Sequence, residues 1–117
     1  MEFKFEKLII WQMAMDLGEL INDAARKFPK DEVYNLSSQI RRAADSIALN
    51  ISEGSTGQTN PEFKKFMGYA IRSLAEVVTC LHKAKRRKYI SEAEFSELNE
   101  YAFNLMNMMI AFTRNIN

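Results

Sequence analysis

The sequence predicts an all-α fold, an antiparallel up-down-up-down four-helix bundle formed by a single domain over residues 1–117. Three observations predict it. Apolar residues recur with a period of about 3.5 residues in four separate runs. Short polar segments separate these runs, and short connections make neighbouring helices antiparallel. The chain holds only four Gly and two Pro, too few for the turns of an all-β protein.

The four apolar runs define the expected core. Each alternates steps of three and four residues, the spacing that keeps side chains on one face of a helix. The runs are Ile10, Ala14, Leu17, Ile21, Ala24 and Phe28; Val33, Leu36, Ile40, Ala43, Ile47 and then Asn50; Phe63, Met67, Ala70, Leu74, Val77, Leu81 and Ala84; and Phe95, Leu98, Ala102, Leu105, Met109, Phe112 and Ile116.

Start and stop signals fall between these runs. Pro29 ends the first helix, and Gly54 is suited to end the second in a left-handed conformation. Asn60 followed by Pro61 fits the cap and first residue of the third helix. The segment Ser91–Glu94 fits a capping box at the start of the fourth. The predicted helices cover about residues 7–28, 32–54, 61–88 and 92–116.

Composition narrows the classes of function. Hydrophobic residues make up 47% and charged residues 26%, as in ordinary globular domains. The formal net charge of +1 indicates no particular partner. No apolar run approaches the roughly 20 residues that span a bilayer, and the start MEFKFEKLII lacks the apolar stretch of a secretory signal. We therefore expect a cytoplasmic protein with no membrane contact.

Residues with catalytic chemistry are scarce. Cys80 is the only cysteine and His82 the only histidine, so we expect no intrachain disulfide, no metal site and no cofactor. The two residues lie two positions apart, and helical residues at that spacing do not share a face. A Cys/His nucleophile pair is therefore not expected. We predict no catalytic residues and no enzymatic activity.

We call the four apolar runs the seams of the helices. Polar residues beside the seams of the second and third helices have two interpretations. Glu53 and Glu76, if buried, would be paired carboxylates of the kind used in acid–base catalysis. Alternatively, Arg72 pairs with Glu76 four residues later, and Asn50 occupies a seam position where a buried polar group fixes register. We favour the second interpretation, a structural polar network of Asn50, Glu53, Arg72, Ser73 and Glu76.

Positive charge is concentrated in the third helix. Residues 60–88 carry eight Lys or Arg against two Glu, a net of +6, whereas residues 89–117 carry four Glu against one Arg, a net of −3. The run KAKRRK ends the helix, where cations complement the macrodipole, but it also suits phosphate binding. Both interpretations stay open. The candidate nucleic-acid-binding residues are Arg41, Arg42, Lys83, Lys85, Arg86, Arg87 and Lys88.

Some apolar residues lie outside the four seams. Trp11 and Met15 share a face of the first helix, and Ile71 and Val78 share a second face of the third. A small bundle has one core, so such second stripes predict a subunit interface. The alternative is a wide core-facing stripe. We expect a homo-oligomer that uses Trp11, Met15, Ile71 and Val78.

Three motifs stand together in this sequence: W-x-x-A from Trp11, the block FPKDEVYNLSSQIRRAADSIALNISEG, which ends at Gly54, and F-x-x-F-M-x-x-A-x-R-S-L-A-E, which contains Ser73 and Glu76. In these motifs the chain resembles a bacterial family of four-helix bundles, the 23S rRNA intervening-sequence proteins. The resemblance runs from about Phe5 to Phe112, and the block that ends at Gly54 is its specific part.

The resemblance implies an antiparallel bundle that assembles into a ring, commonly a pentamer. It also implies a fold similar to that of the accessory variability determinant protein of diversity-generating retroelements, which binds nucleic acid and a reverse transcriptase. From the resemblance and the residues together, we expect a non-enzymatic oligomeric scaffold or adaptor, with RNA or a nucleic-acid-handling protein as partner. The alternative is a protein–protein interaction module with no nucleic-acid role.

Overall fold

Four α-helices form the protein, and no strand is present. A computed structural model describes all residues, 1–117. The helices are α1 (Ile9–Ala25), α2 (Leu36–Thr56), α3 (Asn60–Arg86) and α4 (Glu92–Arg114), and 3₁₀ turns at Lys4–Lys7 and Lys30–Glu32 precede α1 and α2. The predicted all-α bundle is confirmed. No helix carries an apolar stretch long enough to span a membrane.

Neighbouring helices pack side by side and antiparallel. Each helix lies beside the next in the chain, α1 also lies beside α4, and the diagonal pairs α1–α3 and α2–α4 are not neighbours. For each pair of neighbouring helices, a contact nearer the start of one helix is made by a residue nearer the end of the other, as antiparallel packing requires. The pairs are Ser46 with Ser73 and Gln39 with Glu76 (α2–α3), Met13 with Tyr101 and Lys27 with Glu94 (α1–α4), and Phe63 with Phe112 and Lys85 with Glu92 (α3–α4). Trp11 with Ser52 and Gly18 with Asp45 border one groove between α1 and α2.

The predicted seams form the core with few exceptions. Every residue of the first run is buried, as are all of the third run except Phe63 and all of the fourth except Phe112, which are half-buried. Val33 was expected in the core but is 46% exposed, because α2 begins three residues later, at Leu36. Asn50 is half-buried at the α2–α3 boundary, and the neighbouring Ile51 fills the core position instead.

Several helix ends differ from the sequence prediction, and α1 ends at Ala25, before the predicted stop at Phe28 and Pro29. Thr59, rather than Asn60, caps α3 by accepting a hydrogen bond of 3.2 Å from the Glu62 amide. Gly54 does not end α2, which continues to Thr56. The predicted capping box at Ser91 and Glu94 is confirmed.

Gly54 instead lets α2 and α3 approach closely. A Cβ at this position would lie 2.8 Å from the Cβ of Phe66 and 2.9 Å from the Cδ1 of Phe63. These distances are too short for any side chain, so the glycine is required by packing and not by a left-handed backbone.

We predict that Gly54→Ala lowers the free energy of unfolding by about 1–3 kcal/mol, because the added methyl group overpacks the α2–α3 contact. Gly68→Ala is the matched control. A Cβ there meets nothing within 4 Å, and the substitution should stabilise α3 by about 0.5–1 kcal/mol. Urea unfolding of both variants measures the difference, and equal effects of the two would contradict the packing explanation.

Candidate functional site

A buried carboxylate ties together the two turns at one end of the bundle. Glu32 is only 7% exposed. Its Oε2 accepts hydrogen bonds from the Tyr89 hydroxyl at 2.7 Å and from Arg87 Nη1 at 2.9 Å. Its Oε1 accepts from Asn35 Nδ2 at 2.9 Å and from the Leu36 amide at 3.3 Å. The α1–α2 connection is thereby fixed to the end of α3. We call these residues the Glu32 cluster.

The hydrogen bonds of the cluster set its ionisation. The Tyr89 hydroxyl, chiefly, and the Leu36 amide, Asn35 and Arg87 hold the pKa of Glu32 below its ordinary value, although burial opposes them. The same bond to Glu32 raises the pKa of Tyr89. Sequence reasoning did not identify this cluster, because Arg87 and Tyr89 are 55 and 57 residues from Glu32 in the chain and only the fold joins them.

Two residues of the predicted basic site have acidic partners within the chain. Arg87 is an ion-pair partner of Glu32 rather than a free cation. Lys85 lies 3.7 Å from Glu92 and 4.2 Å from the centre of the Phe95 ring. Both residues therefore have acidic partners within the chain, Arg87 in the Glu32 cluster and Lys85 across the α3–α4 turn.

Three cations of the run remain free. Lys83, Arg86 and Lys88 are exposed and take part in none of the chain's five ion pairs. Of the two arginines on α2, Arg42 is exposed and unpaired, whereas Arg41 is half-buried and its Nε is shielded without a hydrogen-bond partner. We call Lys83, Arg86 and Lys88 the basic end. Arg42 lies elsewhere, on the outer surface of α2.

The predicted polar network is only partly assembled. The hydroxyls of Ser46 and Ser73 bond to each other across the α2–α3 boundary, and Asn50 Nδ2 donates to the Ser46 carbonyl at 2.8 Å. Glu76 is exposed and accepts a bond of 3.4 Å from Gln39.

The expected Arg72–Glu76 ion pair is not formed. Arg72 and Glu53 are exposed, and neither side chain makes an ion pair. The catalytic interpretation of Glu53 and Glu76 required both carboxylates to be buried, and both are exposed.

An apolar groove of about 350 Å³ lies between α1 and α2. Small residues form its floor, Trp11 and Met15 form one wall, and Leu49, which is 59% exposed, projects beside it. Glu19 and Asp45 are acidic residues of its lining. We call this surface the α1–α2 face. Its floor consists of Ala14, Gly18, Ala44 and Ala48.

A second apolar surface lies between α3 and α4, and we call it the α3–α4 face. Its groove of about 370 Å³ is lined by Ala75, Val78, Met106 and Phe103, which projects with 64% of its surface exposed. Ile71 is half-buried one turn before Ala75. Sequence reasoning missed Phe103, although it lies three residues before Met106, on the same face of α4. The four predicted interface residues are thus divided between two different faces.

The isolated Cys80 and His82 are not arranged as a reactive pair. Cys80 is buried, and burial raises the pKa of its thiol. His82 is exposed and packs edge-on against Phe95, with ring centres 4.8 Å apart. No group of three or more His, Cys, Asp or Glu side chains is placed to hold a metal ion.

Comparisons with known proteins agree with this architecture. A family model described as 23S rRNA-intervening sequence protein matches residues 6–111. A crystal structure from Bacteroides thetaiotaomicron VPI-5482, of a protein with unknown function from the S23 ribosomal protein family, is similar with a TM-score of 0.85. It is 18% identical and covers 92% of this chain and 100% of its own, which shows a common fold. No curated protein matches.

We predict that Glu32→Gln lowers the melting temperature at pH 7 and makes the melting temperature change less as the pH is lowered. Glu32 has a lower pKa in the folded protein than its ordinary 4.5, so its contribution to stability is present above that pH and is lost as pH falls through the lowered value. Thermal melts between about pH 3 and 8 should therefore converge for the two proteins at the acid end. Glu53→Gln, an exposed carboxylate in α2, is the control. Parallel curves for wild type and Glu32→Gln would contradict this role.

Proposed function

This chain belongs to the 23S rRNA-intervening sequence protein family, as its sequence resemblance predicted, and we propose that it acts as a non-enzymatic, homo-oligomeric scaffold. One observation carries the proposal. The α1–α2 face and the α3–α4 face are both apolar, both partly exposed, and lie on opposite sides of the bundle. A monomer gains nothing from two such surfaces, whereas an assembly buries them.

We infer that the two faces can fit each other in shape. Phe103 projects from the α3–α4 face and is of a size to enter the groove of the α1–α2 face, whose floor consists of small residues. Leu49 projects from the α1–α2 face beside that groove and can enter the groove next to Phe103. Each face therefore offers one projecting side chain and one groove to the other.

Charge supports the same pairing. Glu19 and Asp45 line the groove of the α1–α2 face. On α3, Thr79 lines the opposite groove, and Arg72 lies seven residues earlier on the same helical stripe, exposed and unpaired. Pairing the two faces brings acidic side chains toward a free arginine, whereas pairing the α1–α2 face with itself brings carboxylates together.

Contact between two different faces is head-to-tail. It closes into a ring when the rotation from one subunit to the next completes a full turn after a whole number of subunits. A stable contact needs about 800 Å² per partner. Two such contacts fit within the 7289 Å² surface of one chain. We propose a ring, and the resemblance to the family favours five subunits.

RNA binding is a second candidate function, favoured by the basic end. Lys83, Arg86 and Lys88 are free of acidic partners and lie beyond both apolar faces. A ring would repeat this patch once per subunit, and repeated weak contacts combine by avidity. An rRNA partner would place the protein in the cytoplasm. Without RNA binding, the scaffold would act through protein partners alone.

We predict that Leu49→Glu and Phe103→Glu each reduce the wild-type assembly to a monomer, because each places a carboxylate in the proposed contact. Wild type should have about five times the 13.6 kDa mass of one chain in multi-angle light scattering. Both residues are exposed within one chain, so circular dichroism should show unchanged helicity. Ile9→Glu, at an exposed residue on the α1–α4 side, is the control.

Mixing the two variants tests the head-to-tail geometry. Leu49→Glu keeps an intact α3–α4 face and Phe103→Glu keeps an intact α1–α2 face, so the mixture should form a one-to-one dimer. If each face instead paired with its own copy, each single variant would already form a dimer. A monomeric wild type at micromolar concentration would overturn the scaffold proposal.

We predict that Lys83→Glu/Arg86→Glu weakens binding of a structured rRNA fragment, measured by fluorescence anisotropy. Contacts between lysine or arginine and phosphate release counterions, so log affinity should fall by about 0.7–0.9 per contact for each tenfold rise in salt. The variant removes two such contacts. The slope of log affinity against log salt concentration should therefore become shallower by the amount expected for about two phosphate contacts.

A second charge-removing variant separates binding from stability. Lys88 adopts a left-handed backbone with φ of 64°, which costs a side chain about 1–2 kcal/mol and costs glycine little. Lys88→Gly should therefore weaken RNA binding without lowering the melting temperature. No RNA binding by wild type at low salt would leave the protein-adaptor function.

A further inference from the structure

We propose that Tyr34 is a stacking platform for an unpaired base of single-stranded RNA whose phosphates contact the basic end. The inference rests on RNA binding as the second candidate function and names its ligand class. Tyr34 was not among the candidate residues from sequence, and neither the family match nor the similar structure assigns it a role.

Tyr34 is an aromatic side chain held out into solvent by a fixed backbone. It is 97% exposed and makes no side-chain hydrogen bond. The backbone on both sides is bonded: the Val33 amide donates to the Lys30 carbonyl at 3.1 Å, and the Asn35 amide donates to the Glu32 carbonyl at 2.9 Å. The ring is therefore presented by an ordered corner, without packing that would explain it.

The Glu32 cluster places this corner at the basic end. Asn35, next to Tyr34, donates to one oxygen of Glu32, and Arg87 donates to the other. Arg86 and Lys88 flank Arg87 in the chain. The ring and the free cations thus belong to one surface, joined through a single carboxylate. Exposed Lys30 adds a cation to this corner, and Asp31 is its one unpaired acid.

An exposed ring beside cations discriminates between forms of RNA. Cations alone contact the phosphates of any nucleic acid. Bases within a duplex are already stacked on both sides, whereas the bases of a single strand can be splayed out and stacked on an aromatic side chain. Stacking on one base contributes to the binding free energy whatever the RNA sequence, and substitution of the aromatic residue by alanine removes that contribution.

The test compares a labelled single strand of about 12 nucleotides without self-complementarity with the duplex it forms with its complement. Tyr34→Ala should weaken single-strand binding by about tenfold and leave duplex binding unchanged. Tyr34→Phe keeps the ring and should bind as wild type does. Tyr69→Ala, in the half of α3 away from the basic end, is the control and should also bind normally.

A spectroscopic measurement adds a readout that a purely structural role would not change. Tyr34→Trp should report stacking as fluorescence quenching that saturates with the single strand and not with the duplex. Unchanged single-strand affinity in Tyr34→Ala, or equal loss for both RNAs, would overturn the proposal while leaving RNA binding in place. If wild type bound neither RNA, both the Tyr34 proposal and the RNA-binding function would be overturned. The assembly measured by light scattering would be unaffected.

Discussion

The carboxylate of Glu32 joins the two turns at one end of the bundle, and several features of the molecule depend on it. It orders the corner between α1 and α2 through Asn35 and Leu36, and it holds the end of α3 through Arg87 and Tyr89. A buried carboxylate without such donors would be strongly unfavourable, so four bonds at once make the arrangement specific as well as stable. The same contacts pair Arg87, leave its neighbours free, and present Tyr34 to solvent.

The remaining surface divides into separate regions with separate chemistry. The α1–α2 and α3–α4 faces are apolar and opposite, which suits contact between copies. The basic end is polar and lies on the last turn of α3 and the residues that follow it, so the proposed assembly through the two faces would leave it uncovered. An oligomeric scaffold that repeats an RNA-binding end is consistent with this division, because each role uses residues that the other does not need.

Much of the fold could be predicted from the sequence because the bundle depends on local periodicity. The apolar seams identified four helices and most of the core, from Ile10 to Ile116. Errors occurred where a tertiary contact overrides a local signal. Gly54 has the character of a helix terminator, but α2 continues through it because Phe63 and Phe66 pack directly against it. Val33 continues the heptad pattern, yet the Glu32 cluster delays the start of α2.

The sequence by itself determined the helices, the seams, the capping box at Ser91 and the concentration of positive charge in α3, since each depends on residues within a few positions of one another. Only the tertiary structure decided which charges are free. Arg87 is paired by a residue 55 positions away, and Lys85 is engaged by Glu92 and Phe95. It also separated Trp11 and Met15 from Ile71 and Val78, because periodicity along one helix does not specify which neighbour that helix will meet.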